Sequence, residues 1–139
     1  MAKTPYILDD QVGFILRLAS QRHTSIFAAR MVAGLTPTQF AALARLAEVG
    51  ATSQNHLGRL IAIDVATIKG VVDRLRRRGL IASLADPRDR RRVMLDLTDE
   101  GRRVVAEAVE AGRQITGATL APLAPEERQR LLALLRKLA

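Results

Sequence analysis

The sequence predicts a mainly helical chain that carries one small β-hairpin. Apolar residues recur at three- and four-residue steps through most of the chain, which is the period of an α-helix. Only after Gly79 does the period change to two, in residues 80–84 and again in residues 93–97. Capping residues, glycines and prolines separate the helical stretches, so several distinct helices are expected around one hairpin.

Two helices are predicted in the first 50 residues. Apolar side chains at helical spacing predict a first helix over about residues 8–32, and Gly34 supplies a stop. The second helix opens with Thr36, a hydroxyl N-cap, which is followed by a proline at the first helical position and by Gln39 at the third. This combination is a capping box, and the helix is expected to run to about residue 49.

Two more helices and a hairpin follow, in the order of a winged helix-turn-helix. Ser53 can cap the first helix and Asp64 the second, which ends near Arg78 ahead of Gly79. The period-two stretches then form a hairpin, the wing, around a charged turn at Asp86. The second helix has apolar residues at the spacing of a buried stripe: Val65, Ile68, Val71, Val72 and Leu75.

The last third of the chain is predicted to be helical again. Thr98 can cap a long helix that runs to about Leu120, and Pro122 and Pro125 separate it from a last helix that is rich in leucine. The predicted fold class is therefore mainly α with a small β-hairpin, a winged helix-turn-helix flanked by N- and C-terminal helices.

The charge of the chain indicates a phosphate-rich partner. Lys and Arg total 22 against 14 Asp and Glu, which gives a net charge of +8 and a pI near 11.3. Nine cations and three anions lie between residues 69 and 92, so a net charge of +6 is concentrated in that stretch. Aromatic residues make up only 3% of the chain, which disfavours RNA or single-stranded DNA, since those ligands need stacking partners.

Composition also argues against an enzyme. The chain has no cysteine, which excludes thiol nucleophiles, disulfides and thiolate metal sites, and it has only two histidines. A small hydrolase or transferase that uses an Asp/Glu pair or His23 is the alternative from another class. The carboxylates between residues 86 and 100 fall in a charged turn and a helix start, however, where capping and the helix dipole already explain them. No metal or cofactor is expected.

The sequence shows no signal peptide and no apolar span long enough to cross a membrane. We therefore expect a cytoplasmic protein that has no membrane partner.

The helix-turn-helix supplies one group of candidate DNA-binding residues. On the helix after Asp64, the face opposite the apolar stripe includes Gly70. Because glycine has no side chain, the helix can approach base edges closely there. Polar and basic side chains beside it can reach bases or phosphates. The alternative is a solvated basic face with no ligand. The candidates are Ser53, Gln54, Thr67, Lys69, Gly70, Arg74 and Arg77.

The hairpin turn supplies the second group of candidates. Arg88, Arg90 and Arg91 project from a short ribbon, and arginines in such a place fit the negative potential of a narrow minor groove. A carboxylate next to DNA would be repelled, so Asp86 is expected to position the wing by a paired hydrogen bond to Arg88 or Arg91. A solvated loop is the alternative for these arginines.

These motifs resemble those of the MarR family of transcriptional regulators. The run from Asp86 to Arg91 matches the family's D-x-R-x-x-R wing signature at Asp86, Arg88 and Arg91. Residues 72–75 and 78–81 are similar to the end of the family's recognition helix. Leu97-Thr98 and Gly101 are similar to the family's junction between the wing and the following helix.

The resemblance implies a triangular homodimer in which the first, fifth and sixth helices of two chains interlock. Residues 35–97 would then form the DNA-binding region, and residues 1–34 and 98–139 a helical dimerisation region, within one intertwined domain. The apolar first helix and the leucine-rich last helix supply what such an interface needs, although an intrachain core is the alternative for the last helix. Two-fold symmetry would predict a pseudo-palindromic operator in double-stranded DNA.

The resemblance extends to an effector. Residues 9–14 and 21–24 are similar to a branch of the family that controls aromatic-compound catabolism, which implies a repressor released by a small aromatic acid or its coenzyme A thioester. Arg22, His23 and Phe27 are the candidate effector-binding residues, with a structural interface role as the alternative for Arg22 and His23. A ligand-independent architectural DNA-binding protein is the competing interpretation.

Overall fold

The computed structural model describes residues 3–139 and, within them, contains six α-helices and one two-stranded antiparallel sheet. This architecture confirms the predicted fold class. The helices are α1 (Val12–Arg30), α2 (Pro37–Val49), α3 (Gln54–Leu60), α4 (Val65–Arg77), α5 (Asp99–Thr119) and α6 (Pro125–Leu138). The strands are β1 (Ile81–Ala85) and β2 (Val93–Leu97), and a 3₁₀ turn (Leu8–Asp10) precedes α1.

The chain divides into two compact units. Residues 31–112 form one unit, which contains α2, α3, α4, the two strands and the first two thirds of α5. Residues 3–30 and 113–139 form the other, which contains α1, the end of α5 and α6. Within residues 3–139, no helix is both long and apolar enough to span a membrane.

The start of the first helix was predicted wrongly. Residues 8–10 form the 3₁₀ turn, and the extended backbone of Gln11 separates that turn from α1, which begins at Val12. At the other end α1 stops at Arg30, before the predicted residue 32. Ala33 and Gly34 have φ angles of 57° and 62°, and this left-handed backbone cannot continue a right-handed helix.

The capping box predicted for α2 is present. Gln39 N–H donates to Thr36 Oγ1, and Thr36 N–H donates to Gln39 Oε1, both at 3.1 Å.

The unit formed by residues 31–112 has a hydrophobic core. Every helix and both strands of this unit contribute to the core. The largest fully buried side chains are Leu43, Leu46, Leu57, Ile68, Val72, Leu75, Ile81 and Leu95.

The wing is anchored at its base. Strands β1 and β2 pair in register from Ile81 opposite Leu97 to Ala85 opposite Val93. Thr52, ahead of α3, adds a bridge on the other edge of β2: Thr52 N–H donates to Leu95 O at 3.0 Å, and Leu95 N–H donates to Thr52 O at 2.7 Å. The backbone before the helix-turn-helix is therefore hydrogen-bonded to the wing.

The start of α5 lies directly on the residues that connect α4 to the wing. Thr98 Oγ1 accepts a hydrogen bond from Gly101 N–H at 3.0 Å, as the predicted cap requires, and donates to Gly79 O at 2.6 Å. A Cβ atom at Gly101 would overlap the backbone carbonyl oxygen of Leu80. The close approach of α5 to Leu80 thus requires a glycine.

Substitution of Gly101 tests this contact. Glycine to alanine within a helix normally stabilises a protein by about 0.5–1 kcal/mol. Gly101→Ala should instead destabilise it by several kcal/mol, because neither the Leu80 carbonyl nor α5 can move without disturbing the wing; overpacking costs about 1–3 kcal/mol or more. Chemical denaturation measures the change.

Gly70→Ala in α4 is the matched control, since a Cβ there would meet only the flexible end of Arg74 at 3.7 Å. Gly70→Ala should be at least as stable as the parent protein, and the close approach is refuted if Gly101→Ala is at least as stable too.

Candidate nucleic-acid interface

The helix-turn-helix is built by two side-chain caps. Ser53 Oγ accepts from His56 N–H at 3.3 Å at the start of α3. Asp64 caps α4 with both carboxylate oxygens: Oδ1 accepts from Thr67 N–H at 2.8 Å, and Oδ2 accepts from the Thr67 hydroxyl at 2.9 Å. The Thr67 backbone bond, followed by the hydroxyl bond, lowers the pKa of Asp64. Both predicted caps are confirmed.

The orientation of α4 follows from its apolar stripe. Ile68, Val71, Val72 and Leu75 are buried, as predicted, so the opposite face of the helix is directed away from the core. Val65 is the exception, because 68% of its surface is exposed. It is the first residue of α4 and lies almost one turn ahead of Ile68, the first buried residue of the stripe. The prediction that Val65 belongs to the buried stripe is therefore wrong.

Two of the predicted DNA-binding side chains already have intramolecular partners. The Thr67 hydroxyl donates to Asp64, as described above. Lys69 Nζ donates to Asp73 Oδ2 at 3.1 Å, and Arg76 Nη1 donates to Asp73 Oδ1 at 3.2 Å. The hydrogen bond from Lys69 is the main cause that lowers the pKa of Asp73. A carboxylate on α4 thus holds one cation on each side of it.

Arg76 also connects α4 to the wing. Its Nη2 donates to Ser83 Oγ on β1 at 2.9 Å, while Nη1 is held by Asp73. The guanidinium fork therefore joins the recognition helix to the first wing strand. Sequence reasoning missed this residue. The only signal was the spacing of three residues between Asp73 and Arg76, which is a common helical ion-pair distance.

Other cations of this surface lie beyond ion-pair distance of the carboxylates that the structure describes, although the charge of Arg77 helps to lower the pKa of Asp73. Within residues 3–139, the guanidinium groups of Arg74 and Arg77 on α4 form no ion pair. The same holds for the wing arginines that were predicted to bind DNA, Arg88, Arg90 and Arg91, all of which are exposed. Gly70 lies one turn before Arg74, and Arg74 Nη1 is 3.7 Å from the position that a Cβ atom at Gly70 would take. These cations are therefore available to an anionic partner.

Asp86 shapes the wing through the backbone. Its Oδ1 accepts from Arg88 N–H at 2.9 Å, and Asp89 Oδ1 accepts from Arg91 N–H at 3.0 Å in the same way. The strands close below these bonds, where Asp86 N–H donates to Arg92 O at 3.0 Å. The donor to Asp86 is thus a backbone amide and not the guanidinium group that we expected. In a turn this short, an Asx-type bond to the second residue along is the nearer partner.

A polar cleft of about 380 Å³ lies between the start of α3 and the wing. Ser53 and Gln54, both predicted to bind DNA, line it together with Asn55, Arg59 and Arg92. Sequence reasoning did not select Asn55 or Arg59, and it grouped Arg92 with the arginines of the wing turn, since only the fold brings β2 beside α3. The cleft presents hydroxyl, amide and guanidinium groups, which are the donors that hold phosphate oxygens.

The candidate effector residues lie in the unit formed by residues 3–30 and 113–139. Arg22 donates from both terminal nitrogens to the last carbonyls of α5, at 2.6 Å to Thr119 O and at 2.9 Å to Ala118 O. His23 Nδ1 lies 2.8 Å from Thr119 Oγ1, and Phe27 is buried. The guanidinium group of Arg22 is therefore already bound to the C-terminal end of α5, whereas the His23 side chain is exposed.

His23 borders an apolar cleft of about 470 Å³ within that unit. The cleft lies between α1, the end of α5 and α6, and Ser20, Thr116 and Thr119 are its other polar residues. Aliphatic side chains form the rest of the wall: Ile15, Leu16, Ala19, Leu120, Leu131, Leu132 and Leu135.

The role of Asp86 can be tested by removing the acceptor. Asp86→Ala should release Arg88 N–H, speed its amide hydrogen exchange and that of the neighbouring turn, and weaken duplex binding. Asp86→Asn keeps an acceptor oxygen and should restore both properties to near the parent values. Equal exchange rates in all three proteins would show that Asp86 does not shape the wing.

Comparison with known proteins identifies the family. The MarR family model matches residues 35–93, which run from the end of the α1–α2 connection to the first residue of β2. The transcriptional repressor NicR of Pseudomonas putida is 41% identical over 136 residues, which cover 97% of this chain and 86% of NicR.

Solved structures agree. The structure of a transcriptional regulator of Pseudomonas aeruginosa is 52% identical in sequence and has a TM-score of 0.92. The match covers 96% of this chain and 100% of that regulator's chain. Bordetella bronchiseptica BpsR, whose DNA binding is regulated by 6-hydroxynicotinic acid, is 43% identical with a TM-score of 0.91 and covers 97% of each chain. These matches confirm the resemblance predicted from the wing and recognition-helix motifs. The chain belongs to the MarR family and is a DNA-binding transcriptional regulator, not an enzyme.

Proposed function

We propose that the protein is a homodimeric repressor that grips a pseudo-palindromic operator and releases it when an aromatic acid binds. The observation that supports DNA binding most directly is the set of arginines without carboxylate partners on α4 and on the wing. Cations on one helix and on one adjacent ribbon can neutralise the phosphates of a duplex. The relatives NicR, a repressor, and BpsR, a regulated DNA-binding protein, support the same function.

The proposal assigns a role to each DNA-binding candidate. The outward face of α4, with Gly70 at its centre, would enter the major groove. Arg74 and Arg77 would contact phosphates at the groove rim, and Arg88, Arg90 and Arg91 would enter the adjacent minor groove. Residues of the cleft beside α3, among them Ser53 and Gln54, would hold a further phosphate. Lys69 would exchange its bond to Asp73 for one to DNA, and Thr67 would stay with its cap.

Within the unit formed by residues 3–30 and 113–139, a second copy of the chain would cover the exposed apolar residues that lie outside the His23 cleft. These lie before α1, on α1 and on α6, and no residue of α6 is buried in the single chain. Exposed apolar surface of this extent is typical of an obligate interface. The residues are Tyr6, Ile7, Leu8, Val12, Leu18, Leu134 and Leu138. The predicted division into a DNA-binding region (35–97) and a dimerisation region (1–34 and 98–139) is part of this proposal.

The effector would occupy the cleft beside His23. The aliphatic wall suits an aromatic ring. When His23 Nδ1 accepts from the Thr119 hydroxyl, Nε2 carries the proton and can donate to a carboxylate. Arg22 would hold the end of α5 and would not bind the ligand itself. Regulation of BpsR by 6-hydroxynicotinic acid, an aromatic acid, supports this ligand class.

Duplex binding is tested first by selecting sites from a random duplex pool, which should return a motif with two-fold symmetry. Arg74→Ala should then weaken binding to operator and random duplexes alike. A plot of log affinity against log salt concentration should have a shallower slope for this variant than for the parent protein. The difference should be about one unit for each phosphate that the variant no longer neutralises.

Arg45→Ala is the matched control for Arg74→Ala, because it removes the same charge from a half-buried arginine of α2 that is paired with Glu48. It should leave the salt slope unchanged. Absence of duplex binding in dilute salt would overturn the proposed function.

The effector site is tested by thermal shift with 6-hydroxynicotinate, benzoate and a benzoyl coenzyme A thioester. A ligand that binds the native state must raise the melting temperature, by an amount that grows with ligand concentration. The active compound should also release the operator, and His23→Ala should abolish both effects.

His56→Ala, which changes the other histidine of the chain, should leave both effects intact. If the compound acts equally on His23→Ala, the effector binds elsewhere. If no compound shifts the melting temperature, the ligand-independent architectural protein becomes the better interpretation.

A further inference from the structure

Val65 is exposed at the place where α4 would first meet DNA. It is the first residue of α4, and at 68% it is the most exposed of the large apolar side chains between residues 31 and 112. It contributes little to the core, and its β-branched side chain is a poorer helix former than alanine. Neither packing nor helix propensity therefore explains a valine at this position.

The polar groups of the same helical turns are occupied. The Thr67 hydroxyl donates to Asp64 Oδ2 at 2.9 Å, and Lys69 Nζ donates to Asp73 Oδ2 at 3.1 Å. Ala66, beside Val65, is exposed and has no polar side-chain group. The first turn of α4 thus presents an aliphatic surface, although the rest of the interface is strongly cationic.

From this surface we infer that Val65 contacts the C5 methyl group of a thymine and so helps to determine the operator sequence. The major groove exposes one apolar group, the thymine methyl, among hydrogen-bond donors and acceptors. An aliphatic side chain that enters the groove makes its most favourable contact with that methyl group. The inference rests on the proposed function, in which α4 enters the major groove, and it adds which base chemistry the helix reads.

The experiment removes the methyl groups from the DNA one at a time. Deoxyuridine replaces each thymine of the selected operator in turn, which deletes one methyl group and leaves base pairing unchanged. At one position in each half-site the parent protein should bind the deoxyuridine duplex about fourfold more weakly, which is the value of one buried methyl-sized group. Val65→Ala should bind the two duplexes equally at that position.

Val49→Ala is the matched control. Val49 is the last residue of α2 and is half exposed, so the substitution is the same but lies off α4. This variant should keep the parent's preference for thymine. Because Val65 is exposed, Val65→Ala should also unfold at the same denaturant concentration as the parent or at a slightly higher one. A loss of preference in that variant therefore could not come from unfolding.

Two results would overturn the inference. In one, no deoxyuridine substitution weakens binding by the parent protein. In the other, Val65→Ala keeps the full preference for thymine. Either result requires that the parent protein binds its operator, so it leaves the proposed function intact. If the protein binds no duplex at all, the proposed function itself fails, and the two failures are distinguishable.

Discussion

Burial of the apolar stripe of α4 is the constraint on which the rest of the structure depends. Ile68, Val72 and Leu75 are completely buried, and Val71 nearly so. A helix that buries one stripe must expose the opposite one, so the core alone determines that Gly70, Asp73 and Arg77 are directed outward. The strands and the start of α5 pack against the same core, and the wing is therefore held beside the exposed face of α4.

Carboxylates organise the cationic surface of this unit. Asp64 starts the recognition helix, Asp73 holds Lys69 and Arg76, and Asp86 shapes the wing turn. Each accepts hydrogen bonds from backbone or side-chain donors of the same surface. Because these groups are already ordered in the free protein, fewer side chains and less backbone become fixed when DNA binds. The loss of conformational entropy on binding is therefore smaller. Fully exposed ion pairs add little stability by themselves, so their effect here is mainly geometric.

The unit formed by residues 3–30 and 113–139 buries less of its apolar surface. Its helices leave many leucines exposed, and its polar contacts concentrate at the end of α5, where Arg22 and His23 of α1 bind Ala118 and Thr119. Carbonyl groups in the last turn of a helix have no intrahelical donors, so an arginine fork satisfies two of them at once. This explains why Arg22, whose charge suggested a ligand for an acid, has a structural role in the single chain.

The sequence by itself determined the order and type of the elements, the caps at Thr36, Ser53, Asp64 and Thr98, and the arginine-rich wing. These features depend on local spacing and local hydrogen bonds, which a linear pattern contains. Only the tertiary structure decided that Val65 is exposed, that Arg76 bonds to Ser83, and that Arg59 and Arg92 line one cleft. Each of these depends on which surface lies beside a given side chain, and that follows from how the chain packs in three dimensions.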